Sequence, residues 1–447
     1  MKSSVSGLTA FRASVLSVVS ITCLSLSLSS AWAVPVPLRH TRTLKLDGEG
    51  EAYRVNTAKI VIADYDLLRR DFAPLLKSLS DAEINAWLLE HAALIARTQY
   101  EKGEKANMNK AINADITHTT HYVRPHDYGR GFVFKVGNDG EQELLMDAKG
   151  VGAENPVAGS HSDGLGHVAE MIQEYAFEKL THKAFVHSKS GLDTIETYAV
   201  IDLGFLAHKD GVWTAAGMVI RQAHKRYFRE SRNGWIYFQL EDADAMKIER
   251  VIRRYGLTSS GIGYLREPDR KDSWHDMQGS DEGAVVDFGT FMAAKTFKDN
   301  LHGMDNSILI DYSSPDYVQP NPALCVSEND WAMHRDNSGQ WVFGFSEWAN
   351  PWVNSLRSGQ KTQVEFATFL NGLLQNEVNK WNAYDAALAS GQAGVAPVAA
   401  PSPFPSALPA VVSSPKPVVQ PALVVQGPQP KPRAKHWWTR WWRALKN

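Results

Sequence analysis

The chain has 447 residues, a formal net charge of −2 and two cysteines, Cys23 and Cys325. That length buries a sizeable core unaided, and the lone cysteine beyond the N-terminal leader has no intramolecular partner, which excludes a disulfide-stapled mini-domain. From Ser390 onward Lys416, Lys431, Arg433, Lys435, Arg440, Arg443 and Lys446 occur with no acid among them, so the body is more acidic than the net charge suggests. An acidic body argues against a general nucleic-acid binder.

Residues 1–33 carry Lys2 and Arg12, an apolar Ser-rich run from Val15 to Leu28, and then Ala31-Trp32-Ala33. A basic start, a short apolar run and small residues around a cleavage point predict a secretory signal rather than a membrane span. The expected mature chain starts near Val34 and is exported, to the periplasm or beyond. Residues 34–120 form an expected N-terminal extension with one well-signalled helix. There Ser80 and Glu83 make a capping box, and Ile84, Trp87, Leu88, Leu94 and Ile95 follow at helical spacing.

From Tyr122 the pattern changes to strands. Gly129-Arg130-Gly131 precedes the run Phe132 to Val136, a turn follows at Gly137-Asn138-Asp139-Gly140, and Glu143 to Ala148 reads as a second strand of a hairpin. After Gly166, the residues Val168, Met171, Ile172, Tyr175 and Leu180 are spaced for a helix. Ile195 to Leu203 and Val212 to Ile220 read as further strands, and after Leu240 helical patterns dominate, including Ala245 to Tyr255 and Gln363 to Trp381. The expected class is therefore α+β, with a small β-rich N-lobe over 121–220 and a larger helical C-lobe over 221–389. That is the outline of a protein-kinase-like two-lobed fold. Residues 390–435 are rich in Pro, Ala, Val and Ser and read as a semi-rigid linker. In the tail, 436–447, Trp437, Trp438, Trp441 and Trp442 share a helical face beside Arg440, Arg443 and Lys446, a composition suited to a membrane or envelope surface.

Several groups along this body carry chemistry. Lys149 follows a strand and Glu174 lies on the next helix, the layout in which an ammonium neutralises phosphate oxygens while a carboxylate holds it in place. Gly129, Arg130 and Gly131 form a turn that lets backbone N–H groups approach a phosphate. Arg221 and Arg226, near the end of a strand, carry planar guanidinium groups suited to polyphosphate. In LHGMDNSILIDY, 301–312, the pattern can supply a base, Asp305, to orient or deprotonate an acceptor hydroxyl and two oxygen ligands for Mg²⁺, Asn306 and Asp311; an ordinary Asp-Asn turn between strands is the alternative. Asp287-Phe288-Gly289 spells the metal-binding triplet of protein kinases. It precedes Asp305-Asn306, whereas in kinases it follows that pair, so it is discounted as a site.

Taken in order, these motifs resemble the selenoprotein O family, kinase-fold protein adenylyltransferases, over about Tyr128 to Leu356. Gly129-Arg130 looks like the family's G-D-G-R-A turn, and Lys149-Gly150-Val151-Gly152 like its L-K-G-A-G. Asp163-Gly164 through Glu174 is similar to its D-G-R and R-E-F helix. Gly217 to Arg226 looks like its strand with two arginines, and His302-Gly303, Asp305-Asn306-Ser307-Ile308 and Ile310-Asp311-Tyr312 resemble its H-G, T-D-N-M-S-I and I-D-Y-G elements. Asn337 to Asn354 is similar to its G-R-Y and W-N-L region. Ala153 to Ala158 stands where the family has R-T-P-x-S-R, and the loop between His302-Gly303 and Asp305 is shorter.

The resemblance implies transfer of AMP from ATP, with Mg²⁺, to protein hydroxyls. On the family's pattern Lys149 and Glu174 form an ion pair, Arg221 and Arg226 hold terminal phosphate, Asp305 is the base, and Asn306 and Asp311 hold metal. Two further expectations stand beside it: a catalytically degenerate, pseudokinase-like protein that binds a partner at the envelope, and a phosphotransferase.

Overall fold

The computed structural model describes residues 50–102, 115–125, 131–152, 164–209, 212–227, 229–230, 236–237, 240–259, 277–293, 321–331, 333–335 and 341–391. Period-two alternation over its first half builds a nine-stranded sheet: β1 (Gly50–Val55), β2 (Lys59–Ala63), β3 (Leu94–Ala96), β4 (Ile116–Pro125), β5 (Gly131–Asp139), β6 (Gln142–Lys149), β7 (Gly166–His167), β8 (Thr197–Lys209) and β9 (Val212–Gln222). The order is β2-β8-β9-β6-β5-β4-β1-β3, with every pairing antiparallel. β7 pairs β9 through Gly166 and Gly217, beside the β6–β9 pairing of Lys149 with Val219. The boundary expected at 120 therefore runs through β4, and strands from both sides of it share one sheet.

The helices are α1 (Tyr65–Asp71), α2 (Ala73–Leu76), α3 (Asp81–Ala92), α4 (Arg97–Lys102), α5 (Val168–Ser188), α6 (Asp242–Arg254), α7 (Glu328–Trp331), α8 (Gly344–Arg357) and α9 (Gln363–Ala389). Short antiparallel pairs punctuate the second half: β10 (Arg229–Glu230) with β11 (Ile236–Tyr237), β12 (Leu257–Ser259) with β15 (Phe291–Ala293), β13 (Gln278–Gly279) with β14 (Val285–Val286), and β16 (Met333–Arg335) with β17 (Trp341–Phe343). A 3₁₀ turn, Phe288–Thr290, lies between β14 and β15. The architecture is α+β, as the patterning predicts. No described helix is long and apolar enough to cross a membrane.

The capping box at Ser80 is made in full: the Ser80 side chain accepts from the Glu83 backbone N–H, and the Glu83 side chain accepts from the Ser80 N–H. The helix it starts is shorter than expected. It ends at Ala92, and Leu94 and Ile95 leave it for β3, where they pair with Arg54 and Tyr53. All of Leu94–Ala96 is buried, so a paired strand shields both side chains more completely than one helical face would.

The sheet has two unlike faces. On one, Phe132, Phe134, Met146, Ala148, Met218 and Ile220 pack with Leu67, Leu68, Phe72 and Leu76 from α1 and α2 and Ile84 and Leu88 from α3. Burying each such Leu or Phe contributes roughly 1.5–3 kcal/mol. The alternate residues of β5, β6 and β9 point the other way, and among them are Val133, Leu145, Asp147, Lys149 and Arg221. Polar side chains on that face are buried beneath α5. Further along α5, Glu178 accepts from Thr194 Oγ1 at 2.6 Å and from the Thr197 N–H at 3.1 Å, which pins the helix across the start of β8.

Candidate functional site

Local chain geometry brings Lys149 and Glu174 together. Lys149 is the last residue of β6, and the chain then leaves the sheet and returns through a small ladder. In that ladder the Gly152 N–H donates to Gly164 O at 2.9 Å and the Gly166 N–H to Gly150 O at 3.1 Å. Gly150 has φ +95°, and a Cβ there would lie 2.8 Å from Gly217 O, so this crossing requires glycine. β7 then feeds directly into α5, whose second turn carries Glu174 back over β6.

Lys149 and Glu174 meet as an ion pair. Lys149 Nζ donates to Glu174 Oε1, with Lys149 5% and Glu174 3% side-chain exposed. Beside it, Arg221 Nε donates to Asp147 Oδ1 at 2.6 Å, and Arg221 Nη1 lies 3.8 Å from Glu174 Oε2. Asp147 and Arg221 are direct cross-strand partners on β6 and β9, which fixes this second pair to the sheet. Arg221 Nη2 is buried with no hydrogen-bond partner among the described residues. A buried guanidinium N–H left in this state is a donor suited to a ligand oxygen.

Arg226 is also brought to the site, by a different route. After β9 its residue bridges to Ser280, the Tyr227 N–H donates to Gly279 O, and Arg226 Nη1 donates to Gln278 Oε1 at 3.2 Å. The β13–β14 hairpin is thereby stitched beside the end of β9. The hairpin also delivers a residue that sequence order had discounted. Asp287 Oδ1 accepts from Lys149 Nζ at 2.6 Å, which places Asp287-Phe288-Gly289 beside that ion pair. Gln173, next to Glu174 on α5, donates to Gly289 O and Phe291 O and holds the chain just beyond it. Asp287 adopts left-handed backbone angles, φ 67° and ψ 73°, which Asp tolerates better than most residues.

The charges of this cluster nearly cancel: Lys149, Arg221 and Arg226 face Asp147, Glu174 and Asp287. Burial pushes the Asp287 carboxyl up, but Lys149, Arg226 and Arg221 outweigh it and hold the group well below the usual carboxylate range. Burial pushes Glu174 up, Asp287 adds to that, and Lys149 only partly offsets it. Burial lowers the Arg221 guanidinium, yet Asp147 and Glu174 raise it above its ordinary value.

Among the other expected site residues, Gly131 is the first residue of β5, opposite Lys149. Gly129, Arg130, Asp305, Asn306 and Asp311 lie outside the described residues, as do Trp437, Trp438, Trp441 and Trp442. Among the described residues, no group of three His, Cys, Asp or Glu side chains stands close enough to hold a metal ion. Asp147, Gln278 and Asp287 are the site members that sequence reading missed. For Asp147 a signal existed, since it is the one charge within the apolar run Leu144 to Ala148. No protein-family model and no curated protein matches the chain.

Proposed function

We propose that the chain is an exported, kinase-like, ATP-dependent nucleotidyltransferase that moves AMP to Ser, Thr or Tyr hydroxyls of a protein. The observation that carries this reading is the buried Lys149–Glu174 ion pair between a strand end and the following helix, flanked by Arg221 and Arg226. A buried lysine costs several kcal/mol of desolvation unless paired, and here the pair sits among guanidinium groups with a spare donor on Arg221. Such a cation cluster fits the phosphates of ATP.

In this reading Lys149 and Arg221 orient phosphate oxygens and Arg226 holds the far end of the polyphosphate. Asp305 takes the proton from the acceptor hydroxyl as its oxygen bonds to the α phosphorus, and the α–β phosphoanhydride bond breaks to release pyrophosphate. Asn306 and Asp311 would hold Mg²⁺, which when bound screens the phosphate charge. The signal-like leader accounts for export, and the Trp/Arg tail would contact an envelope surface. Anionic-lipid vesicles should retain the full mature chain but not one ending at residue 435.

The test is incubation of the mature protein with Mg²⁺, a protein acceptor and ATP labelled at the α or the γ phosphate. Label from the α position on protein supports adenylylation, and label from the γ position supports phosphotransfer instead. Absence of both, with no ATP-induced thermal shift, would sink every enzymatic reading.

A second reading has its own observation. Asp287 already satisfies Lys149, as expected of a kinase-like protein that has become a binding module at the envelope. It predicts no label from either position, together with stable capture of a protein partner.

A further inference from the structure

We propose that Asp287 is an internal competitor for the ligand anion: its carboxylate occupies the place beside Lys149 that a phosphate takes, and anion binding requires the Lys149–Asp287 contact to open. The inference rests on the anion site described above and names the residue that controls entry to it.

The position of Asp287 is the first support. Lys149, Glu174 and Arg221 are 3–5% side-chain exposed, whereas Asp287 is 18% exposed, so it is the member of the set that solvent reaches most easily. A second support is its company. It bonds Lys149 at 2.6 Å and lies in the fields of Arg226 and Arg221, surroundings that suit an anion seat better than the oxygen-rich shell of a metal site.

The remaining contacts tell how the seat survives opening. Glu174 still neutralises Lys149 and Asp147 still neutralises Arg221 when Asp287 turns away, so neither buried cation is stranded. The set then counts Lys149, Arg221 and Arg226 against Asp147 and Glu174 only, and changes from formally neutral to net positive. One unit of charge at contact distance in a water-poor site dominates the attraction for a polyphosphate. The backbone on the far side of Asp287 is fixed by the Gln173 bonds and by buried Phe288, which packs on Phe291 with ring centroids 4.8 Å apart. Opening therefore needs rotation of the Asp287 side chain rather than unfolding of its turn.

The experiment compares the wild-type mature chain with Asp287→Asn, Asp287→Ala and Asp287→Glu, titrating each with ATP and with inorganic triphosphate, in EDTA and in Mg²⁺, by calorimetry. Because Lys149 keeps Glu174, the variants are expected to fold, and a melting curve verifies it. Asn and Ala should bind both probes in EDTA about tenfold or more tightly than wild type. Glu, which keeps the charge, should stay near wild type. Asn and Ala binding no tighter than wild type overturns the proposal. Tighter binding of triphosphate with no ATP binding in any form retains the competitor and discards the nucleotide reading. Label transfer by wild type with unchanged affinity in Asn and Ala does the reverse, and no binding of either probe by any form discards both.

Discussion

Lys149 donates to two carboxylates, and the two contacts have different worth. Glu174 is the inner partner, buried with the ammonium, and removing the lysine leaves it only the more distant Arg221, 3.8 Å away. Lys149→Ala is expected to cost about 3–5 kcal/mol in denaturant melts, the range for breaking a buried pair by deleting one partner. A loss under about 1 kcal/mol would mean that water already reaches the pair. Asp287 contributes in a pH-dependent way. Its folded pKa is depressed, so its stabilisation is present above the unfolded value of 3.8 and is lost as pH falls below it. Melting curves of wild type and Asp287→Asn should thus differ near neutrality and begin to approach one another only below about pH 3.8. A separation that does not shrink at all below that pH would show that the contact does not depend on the ionised carboxylate. The same two residues mark what sequence can reveal. Glu174 was legible because it lies 25 residues from Lys149, on a helix whose apolar spacing is clear in the sequence. Asp287 was not, because its contact depends on how a remote hairpin docks. The order rule borrowed from protein kinases argued against the residue that the fold delivers.

At the scale of elements, α9 shows how capping and pairing combine. Thr362 accepts from the Glu365 N–H at 3.2 Å, and Glu365 accepts from the Thr362 N–H at 2.8 Å. Lys361, then the Thr362 backbone and side chain, hold the Glu365 carboxyl down at about 2. Thr362→Ala should lower stability by about 1 kcal/mol, the usual worth of an N-cap hydroxyl, read from a thermal melt. The Glu365 contribution is present above the ordinary value of 4.5 and disappears as pH falls toward about 2, so Glu365→Gln should approach wild type across that interval. Capping residues and apolar spacing made α3, α5 and α9 legible in advance. The strand β3 was missed because Leu94 and Ile95 fit the helical period of α3 equally well. Only their pairing partners on β1, about forty residues earlier, decide the matter.

Over the whole molecule, the sheet gathers strands from Gly50 to Gln222 and later segments dock onto it. The end of α8 is held by Arg357, whose Nε donates to Asp202 Oδ2 at 2.7 Å while Nη2 donates to Phe205 O at 3.0 Å. Asp202 also accepts from the Gly204 N–H at 2.8 Å, so one carboxylate organises a bend in β8 and receives a helix. Arg357→Ala should cost about 1.5–3 kcal/mol, the range for charge-assisted bonds, measured by denaturant unfolding. An unchanged midpoint would show that α8 docks through its apolar side alone. Sequence gave the α+β class from alternation followed by helical spacing. That α1, α2 and α3 back the sheet opposite α5 was not legible, because which side of a sheet a helix covers depends on chain crossings that leave no periodic trace.

The contact between β6 and the turn at Asp287 also constrains how the chain acquires its site. Lys149 and Glu174 are 25 residues apart, whereas Lys149 and Asp287 are separated by 138. Closing the longer loop carries the greater entropy cost, so the inner contact can form with the sheet while the outer one waits for the β13–β14 hairpin. During refolding, the Lys149–Glu174 pair would then be in place before Asp287 arrives beside it. A polyanion present at that stage would meet an ammonium with one carboxylate partner, where the mature fold gives it two.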